Sequence, residues 1–326
     1  MYNTKILLPT ETNIELCAKE LFDGEVIAFA TETVYGLGAN IFNTEAVSKI
    51  FKIKNRPPDN PLIVHVPSVE DVRDIAAYIS DDAYKLLYRF SPGPLTLILK
   101  KKQSIPYIVT AGADTVAVRV PDNKVAIKLL TATGFPLAAP SANTSTRPSP
   151  TCAKHVMEDL NGKIKFILQS EDDCQFGLES TIVDMSGEHP TVLRLGSLPT
   201  STLLDTLPNI KIASSIENGV LCPGTKYRHY APNIKVDYVA FNKLTLSSLT
   251  KIYHNNKNTV ILTHDEVKLD LTNFEHINMG SIECYAKNLF SIFRECEKKY
   301  QSIIAIGVSD KGIGRAINNR IIKASK

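Results

Sequence analysis

The sequence predicts an α/β protein of two domains, on three observations. These are its length, the alternation of short β-branched runs with amphipathic helical stretches, and a connector over about 209 to 233 containing Gly219, Pro223, Gly224 and Pro232. At 326 residues the chain exceeds the size at which one hydrophobic core stops growing, so two cores are expected. With 44% hydrophobic and 22% charged residues it has the composition of an ordinary globular protein. A net charge of +3 is too small for a protein that coats nucleic acid, yet it permits a local basic pocket for an anionic ligand.

The first domain is read along the chain to about residue 208. Thr12 to Phe22 predicts a helix, with Thr12 or Asn13 as its cap and Ile14, Leu16, Ala18 and Leu21 apolar. Val26 to Ala30 predicts a buried strand, and Asn43 to about Lys54 a helix that buries Ala46, Val47, Ile50 and Phe51 and stops at Pro57-Pro58. Strands are expected at Pro61 to Val66, Leu95 to Leu99 and Thr115 to Val120, with helices near 69 to 90 and 123 to 133. Thr151 is expected to cap a helix to Leu160, before strands at Phe166 to Leu168, Ser180 to Met185 and Thr191 to Leu195.

Beyond the connector, strands at Lys235 to Ala240, Thr259 to Thr263 and Ser302 to Val308 alternate with helices near 244 to 254, 281 to 299 and 313 to 325. That is the pattern of a small parallel α/β domain.

The six cysteines, Cys17, Cys152, Cys174, Cys222, Cys284 and Cys296, are scattered singly, which argues against a zinc site or a disulfide scaffold and for reduced thiols in a cytoplasmic protein. The start is not that of a secretory signal, and no apolar run approaches the roughly 20 residues that a membrane span needs. The expectation is a chain neither exported nor embedded.

Several clusters could carry chemistry. Thr31-Glu-Thr-Val-Tyr-Gly-Leu-Gly38 reads as a strand entering a loop whose glycines let backbone approach a ligand, or as a plain strand-to-helix turn; it lacks the Gly-Lys-Ser/Thr of a Walker loop. Lys54-Asn-Arg-Pro-Pro-Asp-Asn60 either complements a helix dipole or offers Lys54 and Arg56 to polyphosphate oxygens, with Asn60 beside them. Ser141 and Asn143, two apart on extended backbone, share a face and can hold a ligand or cap a turn. His65, Arg119 and Arg194 lie within strands and must face solvent or find a partner. Glu179-Ser180-Thr181 reads as a strand entrance or a polar rim. Pro223 to Pro232 interleaves tyrosines with basic residues, which suits nucleic acid, a nucleotide, or a solvated linker.

Together, Thr31 to Gly38, Lys54 to Leu62, Ser91 to Thr96, Val118 to Pro121, Pro136 to Thr151 and Gly177 to Asp184 resemble the YrdC-like threonylcarbamoyl-AMP synthases of the longer, two-domain type. Pro223 to Pro232 resembles their interdomain segment and Gly312 to Arg320 the end of their second domain.

The resemblance implies a twisted mixed open sheet with helices over 1–208, a linker over 209–233 that folds over the active site, and a Rossmann-like parallel α/β domain over 234–326. It implies a nucleotidyltransferase that joins L-threonine, bicarbonate or CO2 and ATP into threonylcarbamoyl-AMP and pyrophosphate, for proteins that then transfer the threonylcarbamoyl group to tRNA. Lys54, Arg56, Asn60, Thr115, Ser141, Asn143, Ser149, Arg194 and Tyr230 would contact ATP, with Lys54 and Arg56 catalytic. Thr33, His65, Arg119, the backbone of Ala139, and Ser180 would hold threonine. Magnesium would bridge phosphates without a protein cage.

Ala30 stands where the family usually has proline, and Thr146 where it often has glycine, which bears on loop conformation and not on the proposed contacts. An RNA-binding module is a rival reading, opposed by the modest charge. A hydrogenase-maturation carbamoyltransferase is another, opposed by the lack of paired zinc-binding cysteines.

Overall fold

The structure, a computed structural model, describes residues 1–171, 174–213, 222 and 229–326. Of the expected clusters, the stretch 223–228 lies outside the described residues.

The chain opens with β1 (Lys5–Leu7) and α1 (Glu11–Phe22). Thr10, and neither Thr12 nor Asn13, caps α1, because the residue before the first turn is the one with extended backbone; its hydroxyl accepts from the Asn13 N–H at 3.3 Å. The buried stripe is Ile14, Cys17, Ala18 and Leu21, while Leu16 is 37% exposed, since only the first set keeps a 3.6-residue period.

Next come β2 (Ile27–Phe29), β3 (Gly36–Asn40) and α2 (Thr44–Lys54). The glycines of the Thr31 to Gly38 cluster therefore lie in a strand and not in a loop. A Cβ on Gly38 would come within 2.8 Å of the Phe29 ring, so the residue admits that ring against the sheet. Asn43 caps α2 as expected and Ala46, Val47, Ile50 and Phe51 are buried. The helix stops at Asn55, in the left-handed region at φ 51°, ahead of the expected proline stop.

The chain continues through β4 (Ile63–His65), α3 (Val72–Ile75), α4 (Asp81–Phe90), β5 (Leu95–Lys100), α5 (Tyr107–Thr110), β6 (Thr115–Arg119) and α6 (Lys124–Thr133). Then follow β7 (Leu137–Ala138), α7 (Ala153–Leu160), β8 (Phe166–Leu168), β9 (Thr181–Asp184), β10 (Thr191–Arg194), α8 (Thr200–Thr206) and β11 (Lys211–Ile212). Cys152 occupies the cap position of α7; Thr151 instead meets the His155 ring at 3.3 Å.

Among the described residues these strands form one sheet of eleven, ordered β1-β8-β2-β3-β7-β4-β6-β5-β9-β10-β11, with both parallel and antiparallel neighbours. The expected linker thus begins with a strand of this sheet, because β11 pairs with β10.

The remaining elements are β12 (Lys235–Val239), α9 (Leu246–Asn255), β13 (Thr259–Thr263), β14 (His276–Asn278), α10 (Ile282–Cys296), β15 (Ser302–Ile306) and α11 (Gly314–Ala324). Their strands pair in parallel in the order β12-β15-β13-β14.

The chain divides into two compact units: Met1–Ser145, Pro150–Gln175 and Glu179–Lys226 in one, and Thr146–Ser149, Phe176–Leu178 and Tyr227–Lys326 in the other. Residues 146–149 belong to the second unit through specific bonds. Arg147 makes a two-pronged contact with Glu297 at 2.9 and 2.7 Å, Arg294 donates to the Pro148 carbonyl at 2.6 Å, and the Ala231 N–H to that of Thr146 at 2.9 Å.

Strand alternation decides which side of the large sheet carries polar groups. Val64, Val118, Leu97 and Val183 face the main core, whereas Ile63, Ala117, Ile98 and Ile182 form a small apolar patch with Cys222 on the other face. His65, Arg119, Thr115, Thr96 and Ser180, each two residues from a patch member, share the patch's face.

Candidate active site

On that face a polar row crosses the sheet. His65 lies opposite Arg119 in the β4/β6 register, and the β5/β6 register carries the row on to Thr96. Thr96 and Ser180 hydroxyls meet at 2.7 Å. Arg194 Nε and Nη2 donate to the Ser180 carbonyl at 3.1 and 2.9 Å, and Nη2 also reaches the Ser180 hydroxyl at 3.0 Å. An irregularity in the β9/β10 register between Val192 and Arg194 accompanies this placement. Gly196 allows it too, since any Cβ there would collide with the Ser180 backbone. All of these polar residues are buried, so their partners hold them in fixed orientations.

His65 is 3% exposed and its Nδ1 lies 3.2 Å from the Ile63 carbonyl. Burial, and then the Arg119 charge, push its pKa down to about 3, so the imidazole is neutral at neutral pH. Arg119 donates from Nε to the Gly93 carbonyl at 3.2 Å and pairs through Nη2 with Glu32 at 2.6 Å. Thr33 is fully buried, its hydroxyl 2.9 Å from that of Thr31.

A second group gathers at the end of α2. Lys54 is 1% exposed, and Nζ donates to the carbonyls of Ser141 and Asn143, both at 2.5 Å. The Lys54 carbonyl accepts from Ser145 N–H at 2.8 Å, so residue 54 grips the Ser-Ala-Asn loop from both its side chain and its backbone. Burial, and then the Arg56 charge, hold its ammonium well below the ordinary lysine range, with Asp159 opposing. Arg56 donates to the carbonyls of Asn60 at 3.3 Å and Pro61 at 2.9 Å. Asn143 Nδ2 donates to the Thr144 carbonyl at 2.9 Å.

These groups are tied to the polar row through backbone. The Ala139 N–H donates to Ile63 at 2.9 Å, and Gly36 bridges to Ser141. Ala139 therefore has its N–H committed to the sheet.

The structure thus brings Lys54, Arg56, Asn60, Ser141 and Asn143 together, and Thr33, His65, Arg119, Ser180 and Arg194 beside them. Thr115 sits apart, at the opposite end of β6 from Arg119 and roughly 13 Å along the strand. Ser149 and Tyr230 belong to the second unit. There the Tyr230 ring stacks on Phe290 at 5.2 Å, with the Arg320 guanidinium 4.9 Å from its centre. Glu32 and Thr96 received no role from the sequence. The signal was present, since both lie within quoted motifs and a polar residue inside a buried run needs a partner.

Comparison with known proteins identifies the family. A family model for the Sua5, YciO and YrdC proteins, described as telomere recombination, matches residues 19–196. Another, described as the C-terminal domain of threonylcarbamoyl-AMP synthase, matches residues 200–326. The threonylcarbamoyl-AMP synthase of Pyrococcus abyssi is 39% identical over 326 residues, covering 97% of this chain and 94% of its own. That of Bacillus subtilis is 37% identical over 331 residues, covering 99% and 95%. The crystal structure of P. abyssi Sua5 complexed with L-threonine superposes with a TM-score of 0.89 at 37% identity, covering 99% of this chain and 97% of that one. Matched along its whole length in sequence and in fold, the chain belongs to the Sua5/YrdC family of threonylcarbamoyl-AMP synthases.

Proposed function

We propose that this chain condenses L-threonine, bicarbonate or CO2 and ATP to threonylcarbamoyl-AMP and pyrophosphate, acting as a nucleotidyltransferase. The observation that supports it best is the buried row His65, Arg119, Thr96, Ser180 and Arg194 beside the loop that Lys54 grips. The neutral threonine amine bonds to the carbon of CO2 and releases a proton to give a carbamate; from bicarbonate the same carbamate forms with loss of water. A carbamate oxygen then attacks the α-phosphorus of ATP, and the bond to the departing pyrophosphate breaks.

The residues required for this are ones that position and neutralise charge. Arg119 pairs with the threonine carboxylate, and Thr33, Ser180 and neutral His65 contact the remainder. Ala139, whose N–H is already bonded, acts through its carbonyl. Arg56 and Arg194 meet phosphate oxygens, and Lys54 both braces the loop that presents Ser141 and Asn143 and turns its third donor to the phosphates. Asn60 completes that side, and Thr115 lies at the far end of the same sheet face, where it would meet the nucleoside. Ser149 and Tyr230 are proposed as nucleotide contacts on the family resemblance alone. Magnesium is proposed to enter with ATP, held by its phosphates.

The division we propose is a catalytic domain over 1–208, a linker over 209–233 into which β11 extends the first sheet, and a C-terminal domain over 234–326. The downstream partners would be proteins that carry the threonylcarbamoyl group to tRNA. A cytoplasmic location is proposed with them; among the described residues no helix is long and apolar enough to cross a membrane.

The test is pyrophosphate release from ATP by the purified protein, with threonine and bicarbonate omitted in turn. Release is expected only with both, and turnover indifferent to threonine overturns the assignment.

A further inference from the structure

Glu32 pairs with Arg119. It is 2% exposed and rides on a turn that Thr31 closes, accepting from the Thr33 and Val34 N–H groups at 3.2 and 3.3 Å and donating to the Val34 carbonyl at 2.6 Å. Its Oε1 lies 2.6 Å from Arg119 Nη2. Both Glu32 carboxylate oxygens and Arg119 Nη2 are buried without a hydrogen bond among the described residues; Oε1 and Nη2 have each other as an ion pair, and Oε2 lacks even that. A buried carboxylate oxygen left without a donor is unfavourable and calls for one that arrives with a ligand.

Two further facts set the sign of that donor. Asp122, an exposed residue, has its pKa raised by partial burial and then by the Glu32 charge, so a second acid lies within electrostatic reach of Glu32. Arg119 donates a hydrogen bond only from Nε, to Gly93, and meets Glu32 through Nη2 as an ion pair, which leaves guanidinium donors for a ligand carboxylate. Guanidinium and carboxylate side by side match the two opposite charges that an amino acid carries on neighbouring atoms.

We propose that Glu32 Oε2 receives the α-ammonium of the amino-acid substrate while Arg119 takes its carboxylate, so that the buried pair recognises the substrate as a zwitterion. This rests on the reading of Arg119 as the carboxylate site. Through Oε1, Glu32 also positions the guanidinium. A ligand with the carboxylate and hydroxyl of threonine but no amine satisfies Arg119 and leaves Oε2 without a donor.

Calorimetric titration of the full chain, in the presence of a non-hydrolysable ATP analogue, with L-threonine and with 3-hydroxybutyrate tests this. The native chain is expected to prefer threonine strongly; equal affinity for the two overturns the proposal without recourse to any variant. Glu32→Gln keeps the size of the side chain and an oxygen for Arg119. It should weaken threonine tenfold or more while changing 3-hydroxybutyrate affinity and the melting temperature little. An equal loss for both ligands means that Glu32 acts through Arg119 alone and overturns the ammonium assignment, as does unchanged threonine binding. Arg119→Ala separates the two readings: threonine bound as before in that variant overturns the site itself, whereas loss of both ligands upholds the site and leaves the Glu32→Gln result to decide.

Discussion

Lys54 Nζ donates to the backbone carbonyl of Asn143 at 2.5 Å, and to that of Ser141 at the same distance. From sequence, Lys54→Ala is expected to lose most activity while remaining folded. The geometry adds a stability cost. Removing the ammonium leaves two carbonyls short of a donor and opens a cavity, at about 2 to 4 kcal/mol in all. Denaturant unfolding of Lys54→Ala should show that loss beside the loss of pyrophosphate release; native stability in the variant would contradict the bracing role.

Arg56 is half-buried and bonds to the carbonyls of Asn60 and Pro61 near the surface. Arg56→Ala should cost no more than about 1 kcal/mol of stability, in the range of partly exposed sites, yet lose most pyrophosphate release. A rate near that of the native chain removes Arg56 from the phosphate clamp.

Ser180 holds two neighbours at once, the Thr96 hydroxyl at 2.7 Å and Arg194 Nη2 at 3.0 Å. Ser180→Ala leaves the Thr96 hydroxyl short of a partner and removes one of the contacts of Arg194 Nη2, whose bond to the residue-180 carbonyl remains. The expected result is a KM for threonine raised about tenfold, equivalent to one lost hydrogen bond of about 1.4 kcal/mol, with a smaller change for ATP. Steady-state kinetics with each substrate varied separately decides it; an unchanged KM for threonine places Ser180 outside that subsite.

His65 makes stability depend on pH. Its folded pKa of about 3 lies below the ordinary value of 6.5, so between those limits the unfolded chain binds a proton that the folded chain refuses. Stability therefore rises with pH across that window and is lost on acidification, by up to about 1.4 kcal/mol per pH unit. Urea unfolding at about pH 7 and about pH 4.5 should show a smaller acid loss in His65→Asn than in the native chain. Equal losses would show that other groups govern the acid limb.

Most of the first-domain helices and strands were legible because their signals are local. Asn43 caps α2 by reaching Ala46, three residues on, and the buried face Ala46, Val47, Ile50 and Phe51 follows from helical spacing alone. Where the reading slipped, the deciding contact was short-range but weakly marked. Thr10, Thr12 and Asn13 can all cap a helix, and backbone conformation chose the first. Asn55 adopted the left-handed form before the prolines could act. β1, β3, β11 and β14 escaped notice because each is short and held by pairing with a neighbouring strand and not by a local pattern, β1 by β8 far along the chain.

The sequence by itself determined the family. Six motifs in order carry the family resemblance, and period-two spacing already places Arg119 on one face with Ala117 and Thr115. Tertiary structure alone decided what each group touches. It set Lys54 against loop carbonyls, Thr115 at the far end of its strand, Tyr230 against Phe290, and Glu32 beside Arg119. The physical reason is distance along the chain: Glu32 and Arg119 come together only when the turn after β2 and the end of β6 are brought to the same region by a sheet whose order no local pattern records.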